Sequence, residues 1–280
     1  MAHKLDVLNR NHVSIKGKGD RVMLFAHGFG CDQNMWRFVA PAFEEQWKIV
    51  LFDFVGAGDS DKNAYDPVRY NELSGYAADV LEICEALELQ NVVFVGHSVA
   101  ALIGILASVQ SPGVFDHLVL IGPSPRYIND LPDYIGGFER EDIEGLLALM
   151  ASNYKQWSGY LAPMIMRNSD RPALARELED SFCKVDPTIA GIFARATFLS
   201  DHRDVLPKVE TPTLILQCME DMIAPLEVGA YMHQQIRDSS FRMMEATGHC
   251  PHVSHPDETV ALISDYLREA YAETKKVAEA

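Results

Sequence analysis

One stretch constrains this chain more than any other: Val92-Val93-Phe94-Val95-Gly96-His97-Ser98, running directly into Val99-Ala100-Ala101-Leu102-Ile103-Gly104. Four apolar, mostly β-branched residues read as a buried strand, and the residues after Ser98 read as a helix. A serine held on a tight strand-to-helix turn projects its hydroxyl above the sheet, the arrangement of a nucleophile elbow. The turn imposes unusual backbone angles on the serine and leaves no room for side chains beside it, so its neighbours must be small. Gly96 meets that need. Ala100 stands where a second glycine is usual; it adds one methyl and takes helical angles readily, so the departure reads as tolerated.

A serine is a weak nucleophile alone, so the elbow demands a base and an orienting acid downstream, in the order Ser, Asp or Glu, His. Pro212 to Cys218 reads as another buried strand, with Glu220-Asp221 just past its end. Phe241 to Ala246 is strand-like and leads into Thr247-Gly248-His249. Loops at the carboxyl ends of strands are where open α/β sheets place their chemistry. The expected set is Ser98 as nucleophile, His249 as general acid/base and Asp221 as its orienter. Glu220 competes with Asp221, and His252 and His255 compete with His249, which is favoured because it follows Gly248 directly after the strand. Upstream, the strand Val22 to Ala26 opens into His27-Gly28-Phe29-Gly30. Such a loop donates one backbone N–H to an oxyanion hole and the residue after the nucleophile donates the other, here Phe29 and Val99. Each donor of this kind contributes roughly 3–4 kcal/mol of transition-state stabilisation.

Between these landmarks strands and helices alternate. Lys48 to Phe54 reads as a strand; Tyr76, Val80, Ile83 and Leu87 mark a helix; Leu118 to Ile121 is the strand after the elbow helix. Alternation of this kind implies a mostly parallel sheet with helices on both faces. The first twenty residues read as an antiparallel hairpin, with Val13-Ser14-Ile15 on one strand and Gly17 to Asp20 at the turn. From about Arg126 to Arg203 strand character stops. Four amphipathic patterns replace it: Ile143 to Met150, Tyr154 to Met166, Leu174 to Phe182 and Ile189 to Leu199. Residues 126–203 are therefore expected to form a helical lid over a core made of residues 1–125 and 204–280. Asp257 to Tyr271 is the closing helix, and Ala272 to Ala280 is expected to fray.

Composition narrows the function. The formal net charge of −16 argues against a nucleic-acid or anionic-membrane partner. No terminal apolar run has signal or transmembrane length. Five widely spaced cysteines, an odd number, argue against a disulfide framework, and a cytoplasmic location is the expectation. His249-Cys250-Pro251-His252 with His255 offers no C-x-x-C pair and no obvious further ligands, so neither a metal nor any other cofactor is expected. Cys250 as nucleophile is disfavoured because Ser98 occupies the better-formed turn.

Several longer stretches carry a resemblance: His27 to Gln33, Gly96 to Val99, Ser124 to Asp130, Gly136 to Glu139 and Gly248 to His252. From about Asn11 to Tyr266 the chain resembles the RsbQ-like α/β-hydrolases of bacterial stress signalling and, through them, the plant karrikin and strigolactone receptors. Cys31-Asp32-Gln33 and His249-Cys250-Pro251-His252 are similar to the bacterial branch. The resemblance implies an eight-stranded, mostly parallel sheet and a four-helix, V-shaped lid over a small apolar pocket. Carried over by position, the pocket lining would be Phe29, Tyr127, Phe138, Trp157, Leu161 and Phe198. It also implies a serine hydrolase of a small hydrophobic ester or lactone-like compound. Such a protein would act with a PAS-domain serine phosphatase to activate the general stress sigma factor. Two alternatives share the same residues: a ligand sensor with little turnover, and a carbon–carbon bond hydrolase. Haloalkane dehalogenation is disfavoured, since it wants an aspartate where Ser98 stands.

Overall fold

In the computed structural model, which describes residues 2–278, the strands are β1 (Ser14–Lys16), β2 (Arg21–Ala26), β3 (Trp47–Leu51), β4 (Val92–His97), β5 (Phe115–Ile121), β6 (Thr213–Glu220) and β7 (Ser239–Thr247). They form one seven-stranded sheet in the order β1-β3-β2-β4-β5-β6-β7, parallel throughout except where β1 runs antiparallel to β3. The helices are α1 (Ala2–Arg10), α2 (Leu73–Ala86), α3 (Val99–Gln110), α4 (Arg140–Ser152), α5 (Tyr154–Met166), α6 (Pro172–Lys184), α7 (Pro187–Phe198), α8 (Leu226–Gln235), α9 (Pro251–Ser254) and α10 (Pro256–Ala278). None is long and apolar enough to cross a membrane.

Strand periodicity sorts the core into two layers. Val22, Leu24 and Ala26 of β2, with Phe94, Leu118 and Leu120, face α2, α3 and α8. The alternate residues Met23, Phe25, Val93, Val95 and Val119 face Trp36 and the α10 residues Ile263, Tyr266 and Leu267. Both faces of the sheet are thus covered, which is why the central strands lack polar alternation. α3 carries no polar stripe because Val99 to Ile105 are all buried. A Cβ on Gly104 would enter the Phe94 ring, so helix and sheet approach only because that side chain is absent.

Three expectations are corrected at the ends of the chain. The sheet has seven strands where eight were expected, and the segment ahead of β1 is the helix α1. Val7 buries against the core, and Arg10 pairs with Asp79 at 3.2 Å and Glu82 at 2.7 Å on α2. β1 does not pair with β2 as a hairpin; β3 lies between them. Gly17 at φ +83° and a Lys18 N–H to Glu44 carbonyl bond of 2.8 Å carry the connection across the start of β3. α10 continues through Ala278 without fraying at 272, whereas residues 279 and 280 lie outside the described residues. Its anchor is Tyr271, whose hydroxyl donates to Asp116 at 2.7 Å. β3 also stops at Leu51, short of Phe54, because Asp53 N–H turns to the Asn11 carbonyl at 2.8 Å.

The four helices α4 to α7 are inserted between β5 and β6. Their buried residues form a third apolar cluster that includes Tyr127, Trp157, Leu161, Leu178 and Phe182. At the base of the insertion the outgoing and returning chains are clasped. Arg126 pairs with Asp201, Arg203 meets Asp130 at 2.8 Å and Asp201 at 2.7 Å, and His202 N–H donates to the Pro125 carbonyl at 2.9 Å.

Candidate active site

β4 ends beside β5, with His97 opposite Ile121, and the chain reverses at once into α3. Ser98 bears the turn at φ +58°, ψ −124°, a conformation that costs of order 1–3 kcal/mol and persists only where its surroundings enforce it. A Cβ on Gly96 would run into the backbone of Ala100, which is why only position 96 requires glycine. Ala100 is buried without strain, so its methyl is accommodated.

Two further loops bring their groups to this hydroxyl. Ser98 Oγ lies 2.7 Å from His249 Nε2, and His249 Nδ1 lies 2.6 Å from Asp221 Oδ2. With the hydroxyl donating to Nε2 and Nδ1–H donating to the carboxylate, the imidazole is held in one neutral tautomer. Asp221 is fixed in turn: its other oxygen accepts the Ile223 N–H at 2.8 Å and the Ala224 N–H at 3.1 Å. Gly122, at the end of β5 with φ +56°, leaves room for the pair, since a Cβ there would lie 3.1 Å from His249 Cε1. Glu220 instead turns outward to Arg167 at 3.1 Å. His252 is buried on α9 beneath the site, and His255 bonds Ser254 Oγ at 2.9 Å. Of the competing residues, only Asp221 and His249 meet at Ser98.

The loop carrying His249 is tied on both sides. Its N–H donates to the Ile165 carbonyl at the end of α5 at 2.8 Å. Its carbonyl accepts from His97 Nε2 at 2.7 Å. Gly248, at φ +84°, passes so close to the Met166 carbonyl that no side chain would fit. Sequence reasoning assigned no role to His97, Gly122 or Ile165; a histidine inside the elbow was the one local signal. The His97 and His252 rings lie 4.3 Å apart between centroids at a 49° tilt, with Trp36 beyond at 4.6 Å from His252. Burial, reinforced by the neighbouring histidines, holds His97 well below the usual imidazole range and His252 down to about 3. Both are neutral spacers beneath the reacting pair. His27 is likewise kept neutral by burial against the pull of Asp53. Its Nε2 accepts the Phe54 N–H at 3.1 Å and its Nδ1 donates to the Gly28 carbonyl at 2.9 Å, which pins the loop that leads to Phe29. The Phe29 and Val99 N–H groups have no hydrogen-bond partner among the described residues.

Above Ser98 lies an enclosed chamber whose lining includes Phe29, Tyr127, Leu161 and Phe198 of the expected set. Phe138 and Trp157 are displaced from it: they line an adjoining, wholly apolar cavity that shares Leu161, Phe198 and Ile223 with the chamber. Trp157 is held there by stacking on Tyr154 at 5.4 Å and by Phe29 edge-on at 6.1 Å. Thr197, Ile165, Leu178, Phe182 and Ile223 also line the chamber, without having been foreseen. Cys31 and Cys250 face the same space, and burial pushes both thiols up, away from thiolate chemistry. Among the described residues no group of three or more His, Cys, Asp or Glu could hold a metal ion.

A sheet of this order, with a serine at a strained strand-to-helix turn and helices inserted after β5, defines a class. Residues 23–262 match the model of the alpha/beta hydrolase family, and the chain belongs to that family. The karrikin insensitive 2 receptor CA of Petunia hybrida is 37% identical over 94% of this chain and 97% of its own length. A strigolactone esterase of Arabidopsis thaliana is 38% identical over 95% of this chain and 97% of its own. A hydrolase from Oleispira antarctica superposes with a TM-score of 0.93 at 45% identity, covering 95% of this chain and 97% of that one.

Proposed function

We propose that this protein hydrolyses a small apolar ester or lactone through Ser98, His249 and Asp221. Ser98 Oγ attacks the carbonyl carbon while His249 Nε2 takes its proton; the Phe29 and Val99 amides receive the developing oxyanion. Collapse of the tetrahedral intermediate returns that proton to the leaving oxygen, and water then attacks the acyl-serine by the same route in reverse. The observation that carries this reading is the unbroken run of bonds from Asp221 through His249 to Ser98, at 2.6 Å and 2.7 Å, beneath an apolar roof. The roof favours an apolar substrate because a polar one would lose hydration without matching partners. Turnover of p-nitrophenyl acetate by wild type and by Ser98→Ala tests it. A loss of at least about 10³-fold is expected, and equal rates overturn the proposal.

A second reading, favoured by the relative named as a karrikin receptor, gives the same hydrolysis a signalling purpose in the cytoplasm. In it a turned-over ligand changes the surface of residues 126–203, which a PAS-domain serine phosphatase then reads. Hydrogen exchange across residues 126–203 that is unchanged by a reacted ligand, together with no ligand-dependent binding to such a phosphatase, overturns it.

A further inference from the structure

The helical hairpin of α5 and α6 grips both sides of the reaction with side chains that the triad does not use. On one side, Ser181 Oγ of α6 donates to the Gly30 carbonyl at 2.8 Å. Gly30 directly follows Phe29, whose N–H receives the oxyanion in the proposed mechanism. The next residue of α6, Phe182, lies so close that a Cβ on Gly30 would enter its ring. On the other side, Asn168 stands just past the end of α5. Its Nδ2 donates to the Met166 carbonyl at 2.5 Å and to the Thr247 carbonyl at 3.1 Å. One amide thus joins the end of α5 to the end of β7, two residues ahead of His249. Arg171 completes the brace. It donates to Asn168 Oδ1, which leaves Nδ2 for the two carbonyls, and to the Ser254 carbonyl at 2.6 Å. Thr247 and Ser254 are the two ends of the segment that carries His249 and α9.

Topology gives these bonds their purpose. The oxyanion loop leaves the sheet at β2 and the histidine loop at β7, with β4, β5 and β6 between them. The sheet fixes where the two strands end but not how the loops beyond them sit. A reacting carbonyl must lie between the Phe29 amide and His249, and a misplacement of about 1 Å costs on the order of 10²-fold in rate. The hairpin bridges the two loops from above, so it sets their separation. Covering the chamber does not require such bonds. α7 lines it through Thr197 and Phe198, yet among the described residues α7 makes no hydrogen bond or ion pair to either loop.

Resting on the hydrolase reading above, we infer that Ser181 and Asn168 are positioning residues for the reaction. Ser181 sets the oxyanion loop and acts through the Phe29 N–H. Asn168, held by Arg171, sets the histidine loop and acts through His249. Neither side chain lines the chamber. Their substitution therefore leaves substrate binding intact and slows the chemical step.

The probe is p-nitrophenyl acetate. Asn168→Ala is expected to lower kcat about 10-fold to 100-fold, and Ser181→Ala about 3-fold to 10-fold, each with KM within about twofold of wild type. Ser181→Thr keeps the hydroxyl and should restore the rate. The decisive measurement repeats both alanine variants in a His249→Ala background, at high enzyme concentration. A residue that works through His249 has nothing left to position there, so Asn168→Ala should then change kcat/KM by less than about twofold, while Ser181→Ala keeps its own loss. Arg171→Ala, at an exposed side chain, carries the same comparison with a smaller loss if Asn168→Ala does not fold. The inference is overturned by a kcat for Asn168→Ala within twofold of wild type, by a loss that persists undiminished without His249, or by a Ser181→Ala defect confined to KM. An active wild type with unchanged variants removes this inference alone; a wild type no faster than Ser98→Ala removes the hydrolase reading with it.

Discussion

The floor and the roof of the chamber are built by different rules. The floor, at the carboxyl ends of β4, β5, β6 and β7, is set by backbone. Ser98 is held by its own turn, Asp221 by the Ile223 and Ala224 amides, and His249 between the Ile165 carbonyl and His97. The catalytic side chains are tied by hydrogen bonds on both sides, and glycines sit where approach is closest. The roof is made of side chains on α4 to α7, packed apolar on apolar, and its one hydroxyl in the chamber, Thr197 Oγ1, has no hydrogen-bond partner among the described residues. Chemistry common to many hydrolases needs fixed angles, which a backbone provides. Selection of one ligand needs a surface that can change residue by residue without disturbing those angles, which helical side chains provide.

The largest expected effect is in the floor. Asp221→Asn keeps the shape but presents an amide to His249 Nδ1, favouring the wrong tautomer or orientation; kcat/KM for an ester should fall about 10³- to 10⁴-fold with little change in the fold. A loss below tenfold would break the view of the floor as a fixed relay. Next comes acid sensitivity. His252 is depressed to about 3 in the folded protein, below its unfolded value of about 6.5, so the unfolded chain takes up a proton first. Stability is full above that unfolded value and is lost as pH falls from about 6.5 towards 3, by up to roughly 1.4 kcal/mol per pH unit for this one group. Denaturant titrations of His252→Leu across that window should show a flatter profile than wild type, with His97 supplying what remains.

Glycine substitutions sharpen the contrast further. Gly122→Ala puts a methyl 3.1 Å from His249 at a left-handed backbone position, and should destabilise by about 1–2 kcal/mol while lowering kcat. Gly145→Ala and Gly191→Ala lie in α4 and α7, where a Cβ meets nothing within 4 Å. Each should raise stability by about 0.5–1 kcal/mol, read by chemical denaturation, since alanine favours the helix. Loss of stability at both roof positions would mean that the roof is as tightly specified as the floor.

The floor was also the more legible of the two. Ser98, Asp221 and His249 each follow a strand whose apolar run marks it, and the order of the three is fixed by topology, so local pattern sufficed. Sheet neighbours were not legible: β1 pairs with β3, more than thirty residues away in sequence, and nothing in Val13-Ser14-Ile15 distinguishes that partner from β2. The roof helices were visible in their amphipathic spacing. Which faces meet around the chamber depends on packing angles instead, so Thr197 and Ile223 went unseen while Phe138 and Trp157 were placed one cavity too close. Thr197 in particular sits in a stretch that reads only as the buried face of α7.

The bond from His249 N–H to the Ile165 carbonyl bears on attempts to engineer the protein. Residues 126–203 look like a cassette that could be exchanged for the corresponding segment of a relative to change selectivity. They are not one, because the insertion supplies half of the grip on the histidine loop. A graft must reproduce the close of α5, with the carbonyls of Ile165 and Met166 pressed against Gly248, or it will alter rate together with selectivity.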